Sequence, residues 1–475
     1  MGREERTQLL VIGAGPGGYA AAFMARRLGI EVTLADEDRE PGGVCLYRGC
    51  IPSKALLHAA KIITEARDAR AIGLKFAEPE IALDRLREWK DGVVTQLTHG
   101  LARLCELRKV RYVRGRASFS NSSSARLRGA GGEEKTLSFD HAIVASGSRP
   151  VALPFIPRSP RVLDSTSALE LSDIPPRLLV IGGGYIGLEL GTLYHALGSS
   201  VTVIEMSGSL LPGTDADLSK VLHDQIKTMF ASVRLDTSVR QVEDTGSLLR
   251  VTMTDGEGKE TVEETDCVLV AVGRRPDASE LGLDNTLVET DEKGFIKVDP
   301  QRRTADNRIF AVGDIAGPPM LAHKAMHEGR LAARVIAGRK DAFDPRAIPA
   351  VVFSNPEIAW CGLTEREAHK MGREIRVVKF PWAASGRACT LHRTEGLTKI
   401  LLDKSSGRVL GVGIVGEGCG ELIAEGVLAM EMGAVALDIA LTIHPHPTLS
   451  ESIMEAAQAA SGESISYHTA AREEP

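Results

Sequence analysis

One pattern occurs twice in the chain and limits what it can fold into: an apolar run, a glycine turn, an apolar helix, and a second apolar run closing on an acid. In the first copy Leu9-Leu10-Val11-Ile12 leads into Gly13-Ala14-Gly15-Pro16-Gly17-Gly18, a helix over 20–28 follows, and the run 31–35 ends at Asp36. In the second, the run 177–181 leads into Gly182-Gly183-Gly184-Tyr185-Ile186-Gly187, a helix reaches Leu197, and the run 201–204 ends at Glu205. From first glycine to acid the span is 23 residues in both copies. Glycines there let the backbone turn tightly and approach a pyrophosphate resting on the helix N-terminus, while the acid takes ribose hydroxyls. A lone fingerprint is weak evidence, but two complete copies predict two dinucleotide-binding modules.

Each copy later closes on a matched turn, Ala145-Ser146-Gly147-Ser148-Arg149-Pro150 and Ala271-Val272-Gly273-Arg274-Arg275-Pro276. Gly13 and Gly147 lie 134 positions apart, whereas Gly182 and Gly273 lie 91 apart. The surplus falls where the first copy carries Gly42-Gly43-Val44-Cys45-Leu46-Tyr47-Arg48-Gly49-Cys50-Ile51-Pro52-Ser53-Lys54, and it reads as an insertion into one nucleotide module. Ala55, Leu56, Ala59, Ile62, Ile63 and Ala66 are spaced as one helical face, which puts Pro52 in the first turn and Cys50 at a helix mouth. A helix N-terminus and a nearby cation, here Lys54, both favour the thiolate form of cysteine. Lysine is the wrong charge for the start of a helix, so an anionic partner is expected beside it. Zinc is not expected, because no second cysteine pair stands at ligand spacing. The stretch Asn121 to Lys135, rich in Ser and Gly, reads as a hairpin or exposed loop.

A chain of 475 residues with 43% hydrophobic and 25% charged content is ordinary globular protein, long enough for about three domains. A net charge of −6 and only 4% aromatics give no footprint for nucleic acid or an anionic membrane. Polar Met1 to Gln8 runs straight into the first strand, leaving no room for a leader or transmembrane helix, and the expected location is cytoplasmic. Seven irregularly spaced cysteines are no secreted disulfide framework, and a reducing compartment suits a disulfide that turns over. The run Arg3-Glu4-Glu5-Arg6 reads as a solvated terminus.

Residues 308–314 read as a strand returning to the first module with Asp314 aimed at a cofactor, followed by a helix over 321–337. Beyond Pro345 the strand-like runs 351–353, 375–380, 398–402 and 409–415 and the helices 422–431 and 450–460 form an α+β unit without a fingerprint, a candidate dimerisation domain. It contains His444-Pro445-His446-Pro447-Thr448-Leu449-Ser450-Glu451, two histidines on a proline-framed turn, where a carboxylate beside a ring fixes the tautomer of a general base. His323 and His327 stand four apart on a helix, but no third ligand is evident and no metal is expected. The fold class is α/β, with two Rossmann-like dinucleotide-binding domains plus a C-terminal α+β dimerisation domain. The expected boundaries are 1–150 for the first part of one nucleotide domain, 151–275 for the other, 276–345 for the remainder of the first, and 346–475 for the interface domain.

Taken in order, the dithiol stretch, both fingerprints, Ala311-Val312-Gly313-Asp314 and the framed histidines make the whole chain similar to the flavin disulfide oxidoreductases. Met320-Leu321-Ala322-His323-Lys324, the stretch Phe380 to Ala388 and His446 to Glu451 resemble its bacterial, dihydrolipoyl-oxidising branch. That resemblance implies one non-covalent FAD per subunit in the first module, on Gly13, Gly15, Gly18, Asp36, Lys54, Ala117, Ser146, Asp314 and Ala322. It implies NAD in the second, on Gly182, Gly184, Tyr185, Gly187, Glu205, Val239 and Gly273. Glu205, with no arginine at 206–213, suits a free ribose 2′-hydroxyl and argues against NADP. By the same resemblance Glu189 pairs with Lys54, Cys45 and Cys50 form the redox disulfide, Cys45 exchanges with substrate, and Cys50 works toward the flavin. His446, oriented by Glu451, is the acid/base and comes from the second subunit of a homodimer. The implied reaction reoxidises protein-bound dihydrolipoamide and reduces NAD, with lipoyl-bearing subunits of 2-oxo acid dehydrogenase or glycine cleavage complexes as partners.

Four positions depart from the family pattern: Tyr47-Arg48 replaces Asn-Val, Pro445 replaces Ala, and Ser146 replaces Thr. Arg48 between the cysteines is expected to favour thiolates and shift the disulfide potential modestly. Tyr185 resembles a tyrosine that covers the flavin in some relatives, with ordinary packing as the equal alternative. Rival readings are a glutathione-type reductase, opposed by Glu205; a mercuric reductase, opposed by the lack of a cysteine pair after Cys419; a transhydrogenase, opposed by Cys45 and Cys50; and a non-catalytic redox-sensing flavoprotein.

Overall fold

The structure is a computed structural model and describes residues 5–129 and 131–467, so Met1, Gly2, Arg3 and Glu4 of the charged terminus lie outside the described residues. The chain divides into two compact units.

The first unit comprises Met1–Leu153, Asp164–Asp173 and Val272–Asp344. Its sheet runs in parallel through Arg111–Asn121, Val32–Asp36, Glu5–Ile12, Glu134–Val144 and Ile309–Ala311, in that order. The returning strand is confirmed in register, with Ile309 opposite Ala142 and Ala311 opposite Val144. Parallel strands covered on both faces are apolar throughout, and successive side chains here feed opposite cores. Leu9 and Val11 join Phe23 and Leu331 on one side, while Leu10 and Ile12 join Phe119 and Phe139 on the other. The stretch after Asn121 is a hairpin, its strand Ser124–Gly129 pairing antiparallel with both long neighbours. Helix Pro16–Arg27 starts four residues before the apolar run, because proline is favourable in a first turn. It crosses helix Ala322–Ile336 so closely that a Cβ at Gly329 would stand 2.2 Å from the Gly17 carbonyl oxygen.

The surplus of the first copy is helical: Gly43–Arg48, Cys50–Asp68 and Leu83–Leu107 all lie between the strands Val32–Asp36 and Arg111–Asn121. In helix Cys50–Asp68 the buried residues are Pro52, Ser53, Ala55, Leu56 and Ala60. Burial ends there, and Ile62, expected on the packed face, is 55% exposed.

The second unit comprises Pro154–Leu163, Ile174–Ala271 and Pro345–Pro475. Its parallel sheet orders Ser232–Arg234, Ser200–Ile204, Arg177–Ile181, Cys267–Val270 and Val162–Leu163. The antiparallel strands Ser238–Asp244, Leu249–Thr254 and Glu260–Thr265 form a separate sheet. The C-terminal part is an antiparallel sheet ordered Ala350–Val352, Ile358–Gly362, Val409–Val415, Leu397–Asp403 and Ile375–Pro381. Strand Ile358–Gly362 was not expected from sequence; its five residues carry a Trp, a Cys and a terminal Gly and show no clean alternation. Trp382, fully buried, donates from Nε1 to Thr398 Oγ1 at 2.9 Å within this core.

Candidate active site

The first fingerprint is a close-packed cradle. Gly13 has φ +95°, and a Cβ there would stand 2.3 Å from the Ala145 carbonyl oxygen, while one at Gly18 would stand 1.8 Å from the Gly13 oxygen. Gly15 caps helix Pro16–Arg27 without a side-chain acceptor, so the first-turn N–H groups remain to meet an anion. Asp36 closes the cradle: Oδ2 accepts Ala14 N–H at 2.5 Å and Oδ1 accepts Asp38 N–H at 3.0 Å. Burial raises the Asp36 pKa above its ordinary value, against the lowering pull of those two bonds. A turn that any Cβ would fill, beside an oriented carboxylate, fits the pyrophosphate and ribose of a dinucleotide.

Around it, Ala117 is buried in the strand Arg111–Asn121, and Ser146 Oγ donates to the Asp277 carbonyl at 2.9 Å. Asp314 lies in the short turn Gly313–Ala316, where its Oδ2 accepts Ser148 Oγ at 2.5 Å; Arg274 Nε in turn donates to Ser148 Oγ at 2.8 Å. Ala322 opens the helix Ala322–Ile336. Beneath the turn sits Glu328, fully buried, accepting Gly313 N–H at 2.7 Å and pairing with Arg302 at 2.9 Å and Lys324 at 3.0 Å. This support was missed in the sequence, where its signal was a lysine and an acid four apart on a helix leading from Asp314.

Cys50 is the first residue of helix Cys50–Asp68, and Cys45 lies in helix Gly43–Arg48 before it. Cys45 is half-buried and Cys50 exposed. The hydrogen bond between the two thiols, together with burial, holds the Cys45 thiol above its ordinary pKa, while Lys54 pulls it down. Arg48, the cation expected to act on the sulfurs, has its guanidinium engaged by Asp38 in a two-pronged bond at 2.9 and 2.8 Å.

The second fingerprint repeats the first. Gly182 has φ +110°, a Cβ at Gly187 would stand 2.1 Å from the Gly182 oxygen, and Gly184 caps helix Tyr185–Leu197 with open space before it. Glu205 is buried; Oε2 accepts Gly183 N–H at 2.7 Å and Oε1 accepts Ser207 N–H at 2.8 Å. Tyr185, first in its helix, is 42% exposed. Val239 lies opposite Met253 in the three-stranded sheet. Gly273, with φ +119°, belongs to the first unit. Glu189 is buried in the second unit and accepts Phe353 N–H at 3.0 Å, while Lys54 belongs to the first.

On the proline-framed turn, His446 Nδ1 stands 2.9 Å from Glu451 Oε1, and Glu451 Oε2 accepts Thr448 N–H at 2.7 Å. Glu451 is the first residue of helix Glu451–Ala459. With Nδ1 protonated toward the carboxylate, Nε2 is the basic nitrogen of a side chain that is 78% exposed. His444 points the other way: its side chain is 6% exposed, with Nε2 at 2.9 Å from Glu425 Oε1 and Nδ1 at 2.8 Å from the Thr442 carbonyl. Glu425 was not anticipated. Asp215, Asp217 and Glu365 converge as a metal site might. The Lys399 ammonium stands among them at 2.7, 2.7 and 2.6 Å. No helix among the described residues is long and apolar enough to cross a membrane.

Residues 7–329 match the pyridine nucleotide-disulphide oxidoreductase family, and residues 348–457 match the dimerisation domain of that family. The chain is 49% identical over 463 residues to dihydrolipoyl dehydrogenase of Haemophilus influenzae, covering 97% of this chain and 96% of that one. It is 48% identical over 463 residues to dihydrolipoyl dehydrogenase of Vibrio cholerae, with 97% of each covered. Among solved structures, LpdA from Mycobacterium tuberculosis superposes with a TM-score of 0.88 at 28% identity, over 95% of this chain and 99% of that one.

Proposed function

The chain belongs to the pyridine nucleotide-disulphide oxidoreductase family, and we propose that within it the substrate is a dihydrolipoyl group carried on a partner protein. It is a flavoprotein disulfide oxidoreductase that uses FAD and NAD(H). The observation carrying the substrate reading is the His446 ring fixed by Glu451, which offers a base at Nε2 for a dithiol donor.

The chain's own part is thiol–disulfide exchange. With Cys45 and Cys50 joined, one substrate thiol gives its proton to His446 Nε2 and its sulfur attacks Cys45, so Cys50 leaves as a thiolate. The second substrate sulfur then displaces Cys45, releasing cyclic lipoyl disulfide and leaving the dithiol pair. Lys54, close enough to lower the Cys45 pKa, favours the anions that form. The chemistry that bound FAD would supply is a two-electron relay between the dithiol and NAD. Gly13, Gly15, Gly18, Asp36, Ala117, Ser146, Asp314 and Ala322 would hold FAD, with Lys54 beside it. Gly182, Gly184, Tyr185, Gly187, Glu205 and Val239 would hold NAD.

The protein works as a homodimer in which each site takes its dithiol from one chain and His446 with Glu451 from the other. It lies in the cytoplasm, where a cycling dithiol suits the reducing milieu. Its partners are lipoyl-bearing subunits of 2-oxo acid dehydrogenase or glycine cleavage complexes. The test compares acceptors and donors side by side: dihydrolipoamide with NAD and NADP, and NADH with lipoamide, glutathione disulfide and mercuric ion. Turnover confined to the lipoyl pair supports the reading; flavin-loaded protein inactive on both lipoyl forms overturns it.

A further inference from the structure

Arg48 sits between the two cysteines, where a cation was expected to act on sulfur, yet its fork is closed on an acid of another segment. Nη1 and Nη2 reach the two carboxylate oxygens of Asp38 at 2.9 and 2.8 Å, and the guanidinium lies 5.7 Å from the Tyr47 ring centre. Asp38 is also held from the sheet, because the Tyr112 hydroxyl donates to its carbonyl at 2.8 Å. Its N–H donates to Asp36 Oδ1 at 3.0 Å, the oxygen opposite the one that takes Ala14 N–H. The helix tip is fastened a second time, with the Tyr47 hydroxyl donating to the Glu40 carbonyl at 3.1 Å. A continuous chain of contacts thus runs from the dithiol helix Gly43–Arg48 through Asp38 to the carboxylate that closes the first fingerprint.

The second copy supplies an internal control. Ser207 occupies the place of Asp38, donating its N–H to Glu205, and so offers no carboxylate to a cation there. The strap is a property of the dithiol-bearing module alone. Bidentate arginine–carboxylate pairs fix orientation as well as attraction, and the pair is half-sheltered, with side-chain exposures of 41% for Arg48 and 15% for Asp38.

We propose that Arg48 is a positioning residue for the flavin: through Asp38 it ties the dithiol helix to the turn that presents Asp36, and so slows release of FAD. This rests on the reading that Asp36 takes the adenosine ribose of FAD. The test measures flavin release from holoenzyme by recovery of free-flavin fluorescence, for wild type, Arg48→Met, Arg48→Lys, Asp38→Asn, the Arg48→Met/Asp38→Asn double variant and Asp36→Asn.

Release speeds up about five- to tenfold in Arg48→Met and equally in Asp38→Asn. The double variant releases no faster than either single one, Arg48→Lys recovers part of the loss, and KM for NADH is unchanged. If Arg48→Met does not fold, Asp38→Asn alone removes the same pair. Release within twofold of wild type in Arg48→Met or Asp38→Asn overturns the strap, as does additivity in the double variant. Unchanged release in Asp36→Asn instead overturns the ribose reading, so the two failures are distinguishable.

Discussion

Asp36 and Glu205 hold the same two backbone groups in the two halves of the chain. Each accepts the N–H of the residue after its first fingerprint glycine, Ala14 at 2.5 Å and Gly183 at 2.7 Å, and the N–H two positions beyond itself, Asp38 at 3.0 Å and Ser207 at 2.8 Å. These bonds orient the carboxylate toward the mouth of the turn, where ribose hydroxyls would meet it. Removing it in the second copy should weaken NAD and relieve repulsion of a 2′-phosphate. Glu205→Ala is expected to raise KM for NAD about tenfold and to narrow the preference over NADP. Steady-state KM values for both nucleotides check this, and an unchanged NAD to NADP ratio would count against it.

The two fingerprints should fail separately when crowded. A methyl at Gly18 would meet the Gly13 oxygen at 1.8 Å, and one at Gly187 would meet the Gly182 oxygen at 2.1 Å, distances at which backbone must move. Gly18→Ala should yield protein depleted of flavin. Gly187→Ala should keep its flavin, while KM for NADH rises at least about tenfold. Flavin absorbance per chain and NADH titration separate the outcomes. Normal flavin content in Gly18→Ala would remove the first fingerprint from the FAD site.

Glu451 orients His446 through a 2.9 Å contact with Nδ1, and it is itself anchored by Thr448 N–H at 2.7 Å. Glu451→Gln keeps the shape but loses the charge, and turnover of dihydrolipoamide should fall about 10²-fold; His446→Gln should fall at least as far. Electron flow from NADH to an artificial one-electron acceptor, which needs no proton from a thiol, should stay within twofold. Parallel loss of both activities would show a structural defect and not a catalytic one.

Most of this architecture was legible because it is repeated and periodic. Glycine turns, the runs flanking them and the acids at their ends are local signals, and strands Arg177–Ile181 and Val409–Val415 fall on the runs that announced them. The insertion was located by counting alone. The supports were not legible: Asp38 for Arg48, Glu328 beneath Gly313 and Glu425 for His444 are acids outside every motif, which the fold brings to residues inside one. Arg48 shows the limit most clearly. Its place between two cysteines suggested chemistry on sulfur, and only the turn after Asp36 reveals the acid that takes its charge.

Lys399, with a fully buried side chain, is the centre of a carboxylate cluster in the second unit, 2.7 Å from Asp215, 2.7 Å from Asp217 and 2.6 Å from Glu365. Burial acts against ionised Asp217, but bonds from Lys379 and Lys399 hold its pKa below the ordinary value, while the three acids raise that of Lys399 despite its burial. A carboxyl group depressed in the folded state adds stability above its unfolded pKa of about 4, and that stability is lost as pH falls below it. The raised lysine contributes below its unfolded pKa of about 10.4 and loses its contribution only at higher pH. Asp217→Asn should therefore be less stable than wild type at neutral pH and should lose less on acidification from about pH 5 to pH 3. Lys399→Met leaves three acids facing one another and should cost about 3 kcal/mol at pH 7. Urea unfolding across pH measures both; equal acid sensitivity in wild type and Asp217→Asn would show that the cluster does not govern the acid limb.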